Sequence, residues 1–298
     1  MITVRTSPSK GPASPEVVGF YEPDTGSIQY VVSDPVSRAA AIVDAVWNFN
    51  PQHARTSTES IDEILRFVED RQLDVTWILD THPHADHFMA GAVLKEKLGA
   101  PQAIGEKVRD IAAIWREVYH LPEAFDVDAS FDRLFADGDR FKIGDLAVRV
   151  ILSPGHTLGS ITYVVGDDAA FVHDTLMVPD SGTSRADFPG GDAAILYRSI
   201  RHILALPDHT RLFVGHDYCK DGREPKWEAT VGEQKAGNIH LKGGVGEAEY
   251  VKIRTERDRT LLLPDRMLYA LQVNLRGGRL PEPEADGRSY FKVPANRF

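Results

Sequence analysis

Residues 80–91 read D-T-H-P-H-A-D-H-F-M-A-G, and this stretch decides the fold. An apolar run at 75–79 comes before it and predicts a buried strand, while residues 88–98 predict a helix. The loop between them carries three imidazoles and two carboxylates, those of Asp80, His82, His84, Asp86 and His87. Imidazole nitrogen and carboxylate oxygen suit borderline divalent metals, so the sequence predicts a metal site at a strand end.

Three later predicted strands also end on residues that can bind a metal. Residues 147–152 lead into S-P-G-H-T-L-G-S at 153–160, residues 169–172 lead into H-D, and residues 211–214 lead into G-H-D-Y. We expect these strand ends to converge between two sheets, because open α/β folds place ligand sites there. The candidate ligands are His82, His84, Asp86, His87, His156, Asp174 and His216.

The order of the predicted elements favours an α/β fold with four layers, in which helices flank two mixed β-sheets. A sequence of strand, hairpin, strand and helix occurs twice, and residues 134–151 are predicted to form one of the hairpins. We expect a flexible N-terminal arm at 1–15, rich in Ser and Pro. A catalytic domain at 16–229 and a helical extension at 230–298, packed on the same domain, would follow.

Composition and charge argue against several classes of protein. The 298 residues are 42% hydrophobic and 26% charged, which is typical of a globular protein. The net charge of −10 argues against a nucleic-acid-binding surface, because phosphate contacts need clustered Lys and Arg. A single cysteine, Cys219, allows no intrachain disulfide. There is no apolar run of about 18 residues and no apolar signal core, so we expect a cytoplasmic protein without membrane contact.

Taken together, these motifs resemble those of the metallo-β-lactamase fold. They are H-x-H-x-D-H at 82–87, G-H-T-x-G-S at 155–160, an Asp at a strand end, and G-H-D-Y at 215–218. The resemblance implies an αββα sandwich. Two further stretches, S-R-A-D-F-P-G-G-D at 184–192 and V-P-A-N-R-F at 293–298, look like the persulfide dioxygenase branch, and more narrowly like its bacterial β-lactamase-like members.

That branch implies an iron-dependent enzyme and a homodimer. Its reaction oxidises glutathione persulfide, or a related small persulfide, with O2 to sulfite and the thiol in sulfide detoxification. The family's ligands for one Fe(II) per chain map onto His82, His156 and Asp174. The remaining four candidates would form a second metal site or surround the first; they are His84, Asp86, His87 and His216.

The resemblance also assigns substrate contacts, to Arg185 and Tyr218. In one place the sequence departs from the pattern, because Thr183 stands where the better-known animal and plant members have a cysteine. Asp80 and Asp86 are candidates for orienting the ligating imidazoles.

Two other functions remain open. The chain carries enough ligands for two metals, so a dinuclear zinc hydrolase of the glyoxalase II type also fits, in which a metal-bound hydroxide attacks a thioester carbonyl. A non-catalytic metal sensor is less expected, because the full ligand set is present. The loop around Arg185 and the stretch 293–298 favour the dioxygenase.

Overall fold

In a computed structural model that describes residues 2–298, two large β-sheets lie between layers of helices. The helices of these residues are α1 (Glu59–Asp70), α2 (Gly91–Leu98), α3 (Val108–Tyr119), α4 (Val127–Ser130), α5 (Ala193–Ile203), α6 (Val231–Gly237), α7 (Glu247–Asp258) and α8 (Met267–Asn274). The strands are β1 (Thr3–Ser7), β2 (Glu16–Glu22), β3 (Ser27–Ser33), β4 (Ala39–Val43), β5 (Val46–Asn50), β6 (Arg55–Ser57), β7 (Asp74–Leu79), β8 (Phe88–Met89), β9 (Gln102–Gly105), β10 (Arg133–Phe135), β11 (Arg140–Ile143), β12 (Leu146–Leu152), β13 (Ile161–Val165), β14 (Ala169–His173), β15 (Arg211–Val214) and β16 (Glu228–Thr230).

Both large sheets mix parallel and antiparallel strands. The first has the order β1-β2-β3-β4-β7-β9-β10, the second has the order β11-β12-β13-β14-β15-β16, and a small sheet has the order β6-β5-β8. Strands β4 and β7 run parallel, as do β14 and β15. Parallel neighbours bring their carboxyl ends to the same edge of their own sheet. The residues that follow these four strands, two from each sheet, contact one another.

Apolar side chains of the two sheets form one core between them. Tyr30 of the first sheet packs edge-on against Phe171 and Phe213 of the second, with ring centroids 5.3 and 5.6 Å apart. Helix α1 covers the outer face of the first sheet through Ile61 and Ile64, which are fully buried. The predicted arrangement of mixed sheets flanked by helices is confirmed.

Two predicted elements differ from those observed. The helix predicted at 88–98 begins only at Gly91, because Phe88 and Met89 pair with β5 as a short strand. There the Phe88 ring stacks on Phe49 at 4.2 Å. In the predicted hairpin at 134–151, only β11 and β12 form the hairpin, and β10 instead runs parallel to β9 in the first sheet.

The N-terminal residues also differ from the flexible arm expected at 1–15. Strand β1 pairs antiparallel with β2. Arg211 of β15 is completely buried and forms a salt bridge with Asp168. A guanidinium has five N–H donors, and the N-terminal residues supply the acceptors that Asp168 does not. Those acceptors are Ser7 Oγ, Pro8 O, Ser14 Oγ and Pro15 O.

The C-terminal residues contain α6, α7 and α8 and end in an irregular stretch. Helix α8 reaches the loop between β7 and β8 through Asn274, whose side chain is completely buried. Its Nδ2 donates to the carbonyls of His84 and His87 at 2.8 and 2.9 Å, and its Oδ1 accepts from the Met89 N–H at 2.8 Å. The extension therefore holds the histidine-rich loop in place. No helix within residues 2–298 is both long enough and apolar enough to cross a bilayer.

The clamp made by Asn274 can be tested with Asn274→Ala. The change leaves three buried backbone groups of the loop without partners, so we expect a loss of about 3 kcal/mol in unfolding free energy. We also expect faster hydrogen exchange at the Met89 amide, whose N–H then lacks its partner. Gln272→Ala is the matched control, because that buried amide also makes three hydrogen bonds, all outside the loop. Equal exchange at Met89 in both variants would contradict the clamp.

Candidate metal site

Five strand ends bring the predicted metal-binding residues together. The loop after β7 supplies three of the five candidate histidines, and the segments after β12 and β15 supply one each, while the segment after β14 supplies Asp174. All seven candidates are buried except Asp86, which is half-buried. The fifth strand end, after β4, supplies Asp44, which lies beside His84. Overlapping groups of these side chains place their ligand atoms within 4.8 Å of one another.

The first cluster contains His82, His156 and Asp174. The Nε2 atoms of His82 and His156 lie 3.5 and 3.7 Å from Oδ2 of Asp174. His82 Nε2 is buried and has no hydrogen-bond partner among residues 2–298. A buried polar atom without a partner is costly, and a metal ion bound among the three side chains would remove that cost. The donor set therefore fits a metal ion.

Hydrogen bonds fix the orientation of both imidazoles in this cluster. His156 Nδ1–H donates to the carbonyl of Arg185 at 2.8 Å, which leaves the Nε2 lone pair free. Burial lowers the pKa of His156 to about 4, so the ring is neutral at physiological pH. His82 Nδ1 lies 3.1 Å from Oγ1 of Thr81, and that hydroxyl itself donates to Asp44. Since Oγ1 can then accept from His82, the Nε2 of this ring is also free.

A second cluster contains His84, Asp86 and His87. His84 Nε2–H donates to Asp44 at 3.0 Å, and His87 Nδ1–H donates to Asp86 at 2.9 Å. Each ring keeps one nitrogen without a partner among the residues described, Nδ1 of His84 and Nε2 of His87. These two nitrogens and the Asp86 carboxylate could hold a second ion.

His216 lies between the two clusters and differs from the other histidines. Its Nδ1 contacts Oδ1 of Asp174 at 2.6 Å, and its Nε2 contacts Oδ2 of Asp86 at 2.6 Å. Burial opposes protonation, but the carboxylates of Asp174 and Asp86 raise the pKa of His216 well above its ordinary value. Both ring nitrogens thus contact carboxylates, and neither is free for a metal in this arrangement.

Asp44 is a central residue that sequence reasoning missed. It accepts hydrogen bonds from the Thr81 N–H at 2.7 Å, the Thr81 hydroxyl at 3.0 Å and His84 at 3.0 Å. Through Thr81 it also orients His82. Its position directly after a strand could have indicated its role, because the candidate ligands were found by the same criterion.

One residue differs from its expected role, and another lies at the site without having been expected there. Asp80 was expected to orient an imidazole, but its carboxyl accepts from Gln102 at 3.1 Å, and burial raises its pKa well above the ordinary value. Ser27, from the first residue of β3, was not expected at the site. Its hydroxyl donates to Asp86 at 2.9 Å and lies 3.1 Å from His87 Nδ1. No sequence signal marks this serine, because its partners lie far along the chain.

A cavity of about 780 Å³ opens beside His156, Asp174 and His216. Tyr218 lies at its wall, 68% exposed, with its ring stacked on His216 at 5.8 Å. Arg185 also lines the cavity, but its guanidinium donates to both oxygens of Asp187 at 2.6 and 2.8 Å and to the Leu262 carbonyl at 2.6 Å. The tyrosine is therefore free to meet a ligand, while the arginine is already paired.

His240 lines the same cavity. Its Nδ1 accepts from the backbone N–H of Thr183 at 3.0 Å. Burial lowers the pKa of His240 to about 4, so the ring is neutral and carries its proton on Nε2.

The role of Asp44 can be tested with Asp44→Asn. The amide puts an N–H donor in place of Oδ2, the oxygen that accepts from the Thr81 hydroxyl. That hydroxyl no longer holds His82 in its orientation, so we expect Zn(II) affinity to fall about tenfold to a hundredfold. Competition with a chromophoric chelator measures this affinity. Asp34→Asn is the matched control, because Asp34 is an equally buried acceptor at another strand end, bonded to Val36, Ser37 and Asp145. Wild-type affinity in Asp44→Asn would refute the role.

Comparisons with known proteins agree with this geometry. Residues 30–216 match the family model of the Metallo-beta-lactamase superfamily. A "Beta-lactamase hydrolase-like protein" of Xylella fastidiosa is 56% identical over 283 residues, which are 95% of this chain but 65% of that relative. The chain thus spans just under two thirds of the length of this relative and of two others with the same name.

Other relatives match over most of their own length. "Glyoxylase B2" of Dictyostelium discoideum is 41% identical over 279 residues, covering 93% of this chain and 96% of that protein. "Persulfide dioxygenase ETHE1, mitochondrial" of Homo sapiens is 27% identical over 261 residues, covering 87% of each chain.

Among solved structures, ETHE1 from Myxococcus xanthus superposes with a TM-score of 0.70 at 27% identity, covering 88% of this chain and 98% of that one. The family model covers more than half of the chain, and the sheets and the clustered His and Asp side chains agree with it. The chain belongs to the metallo-β-lactamase superfamily.

Proposed function

We propose that this protein is an iron-dependent persulfide dioxygenase. It would oxidise glutathione persulfide, or a related small persulfide, with O2 and one water molecule to sulfite and the thiol: the S–S bond breaks, and the outer sulfur gives up the four electrons that reduce O2. The observation that carries the proposal is the first cluster, in which two free imidazole nitrogens, of His82 and His156, face one free oxygen of Asp174. Similarity to proteins named ETHE1 and persulfide dioxygenase supports it.

Two imidazoles and one carboxylate are the ligand set of mononuclear Fe(II) oxygenases, and they leave several metal positions open. A bound ferrous ion would activate O2 for reaction with the persulfide and would stabilise the persulfide as its anion. His216 fits this proposal better as a neighbour than as a ligand, because both of its nitrogens contact carboxylates.

The chain's own groups would hold the ligands and limit access of water. The Arg185 carbonyl fixes His156, and His216 fixes Asp174 through Oδ1 so that Oδ2 faces the imidazoles. The ring of Phe188 lies edge-on to His156 at 5.3 Å and makes an apolar wall. Two reactants held together in such a pocket react faster than in bulk water.

The cavity also fits a substrate with carboxylates. Its volume lies within the range of about 300–1,000 Å³ that is usual for small-molecule sites. Arg257 and Lys220 line it, and within residues 2–298 neither forms a salt bridge. These cations can pair with the carboxylates of a peptide thiol. Arg185, the substrate contact expected from the resemblance, could do so only by giving up Asp187; Tyr218 needs no such rearrangement.

The alternative is a dinuclear zinc hydrolase of the glyoxalase II type. One specific observation favours it, the second cluster with its free nitrogens on His84 and His87. Similarity to "Glyoxylase B2" points the same way. For either function we retain the expectation of a cytoplasmic enzyme that could form a homodimer.

Metal content and oxygen uptake separate the two functions. Protein purified without oxygen and loaded with Fe(II) should hold near one iron per chain and consume O2 with glutathione persulfide, releasing sulfite. Elemental analysis and an oxygen electrode measure this. Near two zinc ions per chain, with cleavage of a hydroxyacyl-glutathione thioester and no oxygen uptake, would instead establish the hydrolase.

A pair of histidine variants tests which cluster holds the iron. We expect His156→Ala to lose iron and all oxygen uptake, because it removes one of three ligands. His87→Ala should keep near one iron per chain, although its ring is equally buried and also has a free Nε2. Iron content by elemental analysis decides between the clusters. Loss of iron in His87→Ala with retention in His156→Ala would reverse the assignment.

A further inference from the structure

His173 ends β14, immediately before Asp174, and has a φ of 39°. Residues other than glycine enter this left-handed region at a cost, and His173 carries a bulky side chain. The pairing of β14 with β15 shifts register at the same residue. Strained backbone conformations cluster at functional sites, where the surroundings hold them. Glycine would adopt this backbone conformation at lower cost. We therefore expect that histidine is present at position 173 because its ring is needed.

The ring of His173 lies between two buried carboxylates. Its Nε2 is 3.4 Å from Oδ2 of Asp44, and its Nδ1 is 3.4 Å from Oδ1 of Asp174. The residue is 2% exposed, and neither nitrogen makes a hydrogen bond within residues 2–298. The rings of His82 and His84 lie at 5.1 and 4.5 Å. Among residues 2–298, His173 alone has ring nitrogens within 4 Å of both carboxylates.

Gly215 of the neighbouring segment leaves the space that this ring fills. A Cβ at position 215 would lie 2.1 Å from Cε1 of His173. The φ of Gly215 is outside the left-handed region, so backbone conformation does not require glycine there. Glycine is required at position 215 because any larger side chain would collide with the His173 ring.

We propose that His173 is a positioning residue for the metal site. It joins Asp44, which orients His82 and His84, to Asp174, and it keeps Oδ2 of Asp174 directed at His82 and His156. This inference rests on the ligand set of the proposed function. The competing role is mere filling of the space opposite Gly215.

Three variants separate positioning from filling. His173→Gly removes the ring and suits the observed φ. The double change His173→Gly with Gly215→Ala adds a methyl group in the space left by the ring but no imidazole. His173→Asn keeps a polar group beside Asp174, and asparagine tolerates positive φ. Each variant is titrated with Co(II) alone, and affinity, the visible absorption spectrum and thermal unfolding are recorded.

We expect both glycine variants to bind Co(II) about tenfold to a hundredfold more weakly, with an altered spectrum. His173→Asn should recover part of the affinity and spectrum. Wild-type affinity and spectrum in the double variant would overturn the proposal and leave filling as the role. Failure of all three variants to fold would overturn it as well, since the ring would then be needed for folding.

The same titration distinguishes this inference from the proposed ligands. If His82→Ala binds Co(II) as tightly as the wild type, the ligand set itself is wrong. If His82→Ala loses Co(II) while the His173 variants do not, only the role of His173 is wrong.

Discussion

The site depends on the pairing of buried carboxylates with imidazoles. Asp44, Asp86 and Asp174 lie close together with little access to water, and an isolated buried carboxylate is strongly unfavourable. Each is offset by at least one imidazole in direct contact. His84 donates one ring nitrogen to Asp44 and His87 donates one to Asp86, so these contacts also determine which nitrogen of each ring stays free. The contacts that stabilise these two carboxylates therefore also select the metal-binding nitrogens of His84 and His87.

This arrangement draws on parts of the chain that are far apart. The parallel pairs β4 with β7 and β14 with β15 each bring two strand ends to the site, one pair from each sheet. The C-terminal extension adds Asn274 beneath the histidine loop and the Leu262 carbonyl beside Arg185. It thus holds the loop that carries the histidines and also forms part of the cavity wall. An extension with both contacts is part of the site and not an appendage to it.

Features determined by local pattern could be predicted from the sequence, and features determined by distant partners could not. The apolar stripe of α1 and the strand ends carrying the histidines follow from spacing alone. Asn274 meets His84 from 190 residues away, and nothing near position 274 indicates that contact. Residues 88–98 show a further limit, because a short apolar run suits a strand or a helix equally well. Only pairing with β5 decides it.

The hydrogen bonds of the buried Arg211 guanidinium also help to protect the protein from aggregation. Strand β1, with its polar and largely exposed side chains, is the edge of the first sheet, and the acceptors for Arg211 follow it directly. A chain shortened to begin at Glu16 would lose this edge and four of the arginine's acceptors together. The apolar strand β2 would then offer free backbone groups to other molecules, and such edges promote aggregation.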